Sequence, residues 1–502
     1  MSTVTLAILL PSLVVAGAPL APQVDDASVA SAIESEFITD TAVPSDEIDV
    51  LVDEGVVTLT GSVPHLLAKE RAVHITEIVK GVRSVVDRLE VDPPRIADDT
   101  VIEHDVTDAL LRDPATDSYE IAISVNEGVV TLIGDVESWS ERRLCETVAK
   151  SAVGVRDVVN QITVSFDTER PDAEIRQEIE RTLEWDALVD AALVDVSVED
   201  GAVTLAGTVG SAAEKRRARQ QAWVAGTTSV DAGDLQVARW ARDDDLREDE
   251  YAARPDDEVE QAVIDALGRD PRVFSFNVDV DVDGGRVTLS GIVDNLSARR
   301  AAETDARNTV GAHTVINHLK VRPVEARGDD AIAADVRRAL LVNPIVDRYA
   351  IDVDVHDGRA ILSGTVDSHY EKAQADTVAS RVNGVVDVSN HLLVAKPVPY
   401  AYDPWVDTWN IYDFDWYDTT AAYSFTPDWR IENQIESELY WSPFVDADEV
   451  EVSVADGVAT LTGRVDSRLE SGAARDNAYE GGATYVRNQL DVAATAEDDT
   501  GS

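Results

Sequence analysis

One alternation of apolar and polar positions recurs along the chain and predicts its principal element. In Gly55-Val-Val-Thr-Leu-Thr-Gly61-Ser-Val63, residues Val57, Leu59 and Val63 fall on one face. Period-two alternation of this kind predicts a half-buried strand. The stretch returns at 128–136, 201–209, 285–293, 358–366 and 457–465, with Leu at 132, 205, 289, 362 and 461. A second strand precedes it, as in 48–52, 121–125 and 194–198. The pairs Asp53-Glu54, Asn126-Glu127 and Glu199-Asp200 before the first glycine mark a tight turn, where Gly accepts positive φ. The element is an antiparallel hairpin. Its second glycine lies on the inward face, where the missing side chain is expected to admit a helix or a bulge.

Period changes to that of a helix on either side of each hairpin. Upstream, apolar residues recur at i, i+4 and i+8: Val29/Ile33/Phe37, Ile175/Ile179/Leu183, Ile332/Val336/Leu340 and Ile431/Ile435/Leu439. An acidic capping pair opens such a helix, and a proline (Pro114, Pro271, Pro344, Pro443) often follows its end. Downstream, an Ala- and Arg-rich helix over 65–80 stops at Gly81-Val82, matched by Gly154-Val155, Gly311-Ala312 and Gly384-Val385. A closing strand follows over 85–91, 158–164, 315–321 and 388–394. The unit is therefore αββαβ, a three-stranded mixed sheet with two helices on one face, and the fold class is α+β. Successive second glycines stand 73, 73, 84, 73 and 99 residues apart, so a small domain is repeated six times with two enlarged linkers.

These residues resemble the BON domain family, named for bacterial osmotic-shock and nodulation proteins. The Gly-x-Val-Thr-Leu-x-Gly-x-Val strand, the Gly-Val about twenty residues on and the closing strand carry the likeness. Asn160, Asn317, Asn390 and Asn488 hold one position of that strand, whereas Asp87 replaces it in the first repeat. The third repeat departs around Ala232-Gly233, and the sixth reads Gly481-Gly482-Ala483 where Gly-Val is expected. The resemblance implies a stress-linked bacterial envelope protein whose domains bind phospholipid or other hydrophobic ligands, with no catalytic residues. The Asn itself reads as a backbone-bonding residue rather than a ligand contact.

The units are expected over 25–92, 98–165, 171–238, 255–322, 328–395 and 428–493. Residues 1–24 carry no charged side chain and form a candidate signal peptide, although no Lys or Arg precedes the apolar core. A retained anchor and an uncleaved cytoplasmic N-terminus are the alternatives, with Pro11 and the short apolar run against a full span. Export would place the protein in the periplasm or cell envelope. The acidic stretch 239–254 reads as a solvated tether, and 494–502 as a polar tail. Between them the segment 396–427 is crowded with rings, including Tyr402, Trp405, Trp409, Tyr412, Trp416 and Tyr417.

With 96 acidic against 43 basic residues, the net charge is −53. That excludes ordinary nucleic-acid binding, which needs a basic surface. Only seven of the basic residues are Lys, and acid excess with Lys depletion suggests a halophile; a generic acidic envelope protein is the alternative.

Catalytic and metal chemistry find little support. The single cysteine, Cys145, sits at a buried helical position and reads as core. The eight histidines recur at no consistent place in the repeat and read as surface or loop residues. The repeated Gly-x5-Gly lacks the Gly-Lys-Ser/Thr of a phosphate loop. The run Asn277-Val-Asp279-Val-Asp281-Val-Asp283 suggests a calcium loop, but its interleaved valines make it an alternating strand with acids facing water. Neither a cofactor nor a metal is expected. Two function classes remain: an envelope protein that binds lipid or hydrophobic ligands through several weak modules, and a scaffold that binds proteins through the repeats or the aromatic insert. For the insert, a clasp between the last two repeats competes with a docking surface. Its acids favour a protein partner over an anionic bilayer.

Overall fold

The computed structural model describes residues 24–40, 42–94, 97–113, 115–116, 121–166, 170–238, 241, 254–273, 277–324, 327–346, 348–367, 369–394, 427–442, 444–455, 457–465, 468–483 and 485–492. The candidate signal peptide, nearly all of the acidic tether and the aromatic insert before Pro427 lie outside them.

The first unit sets the pattern. Its order is α1 (Asp26–Thr39), β1 (Ile48–Asp53), β2 (Val56–Val63), α2 (Leu66–Glu77) and β3 (Ser84–Val91). Strand β2 is central, antiparallel to β1 and parallel to β3, with Leu59 facing Val50 on one side and Asp87 on the other. Alternation along β2 sends Val57, Leu59 and Val63 inward, where they meet Val29, Ile33 and Phe37 of α1 and Ala68, Ala72 and Ile75 of α2. His65 caps α2 by accepting the Ala68 amide on Nδ1 at 3.0 Å, so this histidine has a structural task that its loop position hides.

The unit recurs with little variation. The second comprises α3 (Asp99–Arg112), β4 (Ala122–Asn126), β5 (Val129–Val136), α4 (Trp139–Lys150) and β6 (Asp157–Val164). In the third, α5 (Asp172–Glu184), β7 (Val194–Glu199), β8 (Ala202–Val209) and α6 (Ala212–Gln221) precede a closing strand split into β9 (Ser229–Asp231) and β10 (Leu235–Val237). The fourth has α7 (Asp256–Arg269), β11 (Val278–Asp283), β12 (Arg286–Val293), α8 (Leu296–Arg307), β13 (Thr314–Asn317) and β14 (Lys320–Val321). The fifth has α9 (Asp329–Val342), β15 (Ile351–His356), β16 (Arg359–Val366), α10 (His369–Ser380) and β17 (Asp387–Val394). The last has α11 (Asp428–Trp441), β18 (Val450–Ala455), β19 (Val458–Val465), α12 (Arg468–Glu480) and β20 (Tyr485–Val492). The closing strand expected to run unbroken over 315–321 is thus interrupted at His318-Leu319, although the His318 amide still donates to the Leu289 carbonyl at 2.8 Å.

Six separate sheets result, and the Leu series 59, 132, 205, 289, 362 and 461 is fully buried. Six separate cores do not. Apolar residues of the first, second and last units form one continuous cluster, which Leu188, Ala212 and Ala213 of the third unit join. The third, fourth and fifth units keep cores largely their own. Units of this size gain by sharing buried area, because each alone has a high ratio of surface to volume.

A recurrent backbone bond joins units distant in sequence. The turn after a second helix donates to the carbonyl at the end of another unit's first helix: Lys80 to Trp441 at 3.2 Å, Val153 to Val342 at 2.9 Å and Val310 to Trp185, just past α5, at 3.0 Å. First pairs with last, second with fifth, third with fourth. Ion pairs between the second helices add Lys150–Glu70 at 2.8 Å, Arg216–Glu77 at 2.8 Å and Arg300–Asp376 at 2.6 Å. His74 on α2 lies half-buried in this network, and burial followed by the charges of Arg216, Arg71 and Lys150 holds its pKa well below the usual histidine range. Its place at a junction between units corrects the expectation that the histidines are surface or loop residues.

Candidate functional site

The hairpin turn is locked from across the unit. Glu54 and Gly55 have φ of 49° and 75°, a type I′ combination. Their amides donate to the Asp26 carboxylate at 2.9 and 3.0 Å. Asp99, Asp172, Asp256 and Asp329 repeat this double contact, and Asp428 accepts from Gly457. These donations hold the carboxyls of Asp256 and Asp329 below the usual range. The acid at the helix start therefore fastens the hairpin.

The second glycine of five of the hairpins has a different reason from the one its pattern suggested. A Cβ at Gly61 would stand 2.0 Å from the carbonyl oxygen of Glu47, just before β1. The same carbonyl crowding recurs at Gly207, Gly291, Gly364 and Gly463, against Leu193, Asn277, Ala350 and Glu449. A neighbouring strand's entry requires the glycine, not an approaching helix.

A cleft of about 430 Å³ opens between the first and third units. Its walls combine the outward Leu51 and Val56 of the first sheet, Val237 of the third, and the cations Arg83 and Lys215, with Asp53 and Glu54 at one side. Leu51 is 67% exposed. Lys215 donates to the Leu235 carbonyl at 2.7 Å, and its burial lowers its pKa from the ordinary lysine value. An apolar wall beside two cations suits an amphiphile with an anionic end. Composition alone gave no pointer to this cleft, since its parts lie about 180 residues apart.

The ring-bearing candidates Tyr402, Trp405, Trp409, Tyr412, Trp416 and Tyr417 lie outside the described residues. Cys145 is fully buried, and burial pushes its thiol up to about 12. Asp279, Asp281 and Asp283 are exposed along β11, as an alternating strand requires. Among the described residues, no group of three or more His, Cys, Asp or Glu could hold a metal ion.

Compared with known proteins, the chain matches the BON domain over residues 25–93, 98–165, 171–239, 255–323, 328–396 and 427–494. The chain belongs to the BON domain family. It is 31% identical over 144 residues to osmotically-inducible protein Y of Escherichia coli (strain K12), covering 28% of this chain and 72% of that protein. Two structures of CdsD, a structural protein of the type III secretion system of Chlamydia trachomatis, align with 15% and 16% identity. They span 43% and 44% of this chain, and 100% and 92% of their own, at a TM-score of 0.13 that carries no argument.

In four of the BON units the recurring Asn is a brace. Asn160 donates from Nδ2 to the Arg142 carbonyl at 3.0 Å and accepts the Ile162 amide at 3.1 Å. Asn317, Asn390 and Asn488 repeat both contacts, tying the second helix to the closing strand. Asp87 keeps the accepting half, from Leu89 at 2.9 Å, and replaces the donating half with an ion pair to Lys69 at 3.3 Å. These bonds leave the Asn with a structural role. Among the described residues, no helix is long and apolar enough to cross a membrane.

Proposed function

We propose that this BON array is a non-enzymatic envelope protein, linked to osmotic or envelope stress, that binds phospholipid or other hydrophobic ligands. The cleft between the first and third units supports this reading best, because it sets exposed Leu51 beside Arg83 and Lys215 in a chain otherwise dominated by acids. An anionic headgroup could be neutralised there while an acyl segment covers the apolar wall. The osmotic association comes from the name of the Escherichia coli relative. Liposome co-sedimentation at low and at multimolar salt tests the proposal. Arg83→Ala with Lys215→Ala should release the protein from anionic vesicles while the fold persists. Equal sedimentation of variant and parent would reject the cleft.

A scaffold role through the aromatic insert is the second reading, favoured by eleven of the chain's aromatic residues falling between Tyr400 and Trp429. Trp and Tyr dominate the energetics of protein interfaces. A pull-down from envelope extract that survives detergent and lipid depletion would favour it.

A further inference from the structure

The seams between the first three units repeat one geometry. The fifth residue of one second helix meets the last residue of another: Glu70 of α2 pairs with Lys150 of α4 at 2.8 Å. Arg216, fifth in α6, pairs with Glu77, last in α2, also at 2.8 Å and with the charges exchanged. Between α4 and α6 tryptophans take over. Trp139 lies against Trp223 with ring centres 4.3 Å apart and donates from Nε1 to the Thr227 carbonyl at 3.1 Å. First meets second, second meets third and third meets first, so the three units close into a ring.

One seam of that ring is tied less completely than its neighbour. Between the first and second units Arg156, two residues past Gly154, donates from Nε to the carbonyl of Val91, the last residue of β3, at 3.3 Å. Between the third and first units the corresponding residues are Arg83, two past Gly81, and Val237, the last of β10. Both line the cleft of about 430 Å³, where Arg83 reaches back to the Glu54 carbonyl of its own turn at 3.4 Å. A second cation differs in the same place. Lys69 of the first unit donates to the Leu89 carbonyl at 2.6 Å and pairs with Asp87 at 3.3 Å. Its counterpart Lys215 keeps the carbonyl contact, to Leu235 at 2.7 Å, but Gly233 stands where the first unit has Asp87. Asp231 acts on Lys215, while its carboxylate accepts the Gly233 amide at 2.8 Å. Two cations from two units therefore line one cleft, each without the contact that its counterpart makes.

We propose that this seam is a ligand-completed joint, in which a phosphate group held between Arg83 and Lys215 supplies both ties and locks the ring of the first three units. The joint rests on the reading of the cleft as a site for an anionic amphiphile and adds what binding does to the chain. A tetrahedral anion carries acceptor oxygens on several sides, so one group can accept from a guanidinium fork and from an ammonium on different units. Leu51 and Val56 place an apolar wall beside these cations, whereas Asp53 and Glu54 border the cleft and confine an anion to the cationic side. A ligand that needs both units in place favours the locked seam by its differential affinity.

Spin labels at Asp49→Cys and Asp195→Cys, exposed and equivalent positions of β1 and β7, report this seam in the full chain. Asp49→Cys with Ala122→Cys on β4 reports the first seam, and Cys145 is buried and escapes labelling. At one fixed salt concentration, dihexanoyl phosphatidic acid is expected to sharpen the 49–195 distance distribution and leave that of 49–122 unchanged. Arg83→Gln and Lys215→Gln should each weaken its binding about tenfold or more and leave the 49–195 distribution broad. Gly233→Asp returns the carboxylate of the first unit, and its Cβ meets only the Asp231 carboxylate, at 3.1 Å. That variant should sharpen the distribution without lipid and weaken lipid binding as well. Sharpening by inorganic phosphate alone would uphold the joint and assign it to the free anion instead of lipid. Lipid that binds without changing the distribution would overturn the joint and leave the cleft reading standing; no binding to the parent would overturn both. Circular dichroism confirms folding, and Arg83→Gln, at an exposed position, carries the comparison if Gly233→Asp is unstable.

Discussion

Lys80 donates its backbone N–H to the carbonyl of Trp441 at 3.2 Å, closing the chain between its first and last repeats. The same side chain reinforces the junction, with Nζ 2.8 Å from the Tyr440 carbonyl and 4.1 Å from the centre of the Tyr440 ring. Val153 and Val310 make the matching backbone bonds with apolar side chains of their own, although Arg254 stands 5.4 Å from the centre of the Trp185 ring at the latter junction. Lys80→Met keeps most of the apolar stem but removes the charged donor. We expect a loss of about 1–3 kcal/mol in guanidinium unfolding, from one charge-assisted hydrogen bond and one cation–π contact. A change within experimental error would mean that solvent replaces both contacts.

Two glycines should respond to alanine in opposite directions. At Gly61 the new Cβ would meet the Glu47 carbonyl at 2.0 Å, and φ is 123°. Backbone must move, so Gly61→Ala is expected to destabilise by about 3 kcal/mol or more. Gly268 lies in α7 with nothing within 4 Å. There the substitution should stabilise by roughly 0.5–1 kcal/mol through helix propensity. Parallel melting curves of the two variants read the contrast.

Leu289 on β12 is fully buried between Val263 and Leu267 of α7 and Ala298 and Ala302 of α8. Leu289→Ala removes apolar contacts and leaves a cavity, a cost of about 2–5 kcal/mol. Because the fourth unit's core is largely its own, hydrogen exchange should accelerate there and leave β2 and β5 protected. Uniform acceleration would mean that the six units unfold as one.

The inner architecture was legible because it is local. Alternation places Val57, Leu59 and Val63 within nine residues of Gly55, and the helix stripe of Val29, Ile33 and Phe37 lies just upstream. What joins the repeats was not legible. Lys80 and Tyr440 are separated by 360 positions, and nothing local in the sequence pairs them. Likewise Gly61 announced itself by recurrence, but its cause, the Glu47 carbonyl, depends on strand entry rather than on sequence pattern. The cleft beside Leu51 needs two units in place before Arg83 and Lys215 share it.

Salt should govern stability. A net charge of −53 repels itself at low ionic strength, whereas molar salt shortens the screening length to about 3 Å. The melting temperature is expected to rise steadily from dilute buffer to multimolar salt, with partial unfolding at the low end. Potassium chloride and sodium chloride should act alike if screening is the cause. A flat profile would favour a merely acidic envelope protein over a halophilic one.

The aromatic insert offers the sharpest choice between function classes. Trp405, Trp409 and Trp416 stand among Asp403, Asp407, Asp413, Asp415 and Asp418, so large apolar rings alternate with charges that resist an anionic bilayer. A clasp would bury those rings between the last two repeats; a docking surface would hold them for a protein partner. Replacing the three tryptophans together by alanine separates the two. Loss of binding to envelope components, with the melting curve unchanged, is the outcome expected of a docking surface, where a few aromatic anchors carry most of the energy. If the fifth and sixth units instead lose stability while binding is retained, the rings serve the fold. Screening decides the remaining case: binding to anionic vesicles that appears only at multimolar salt would assign the segment to lipid, because only then are its carboxylates masked.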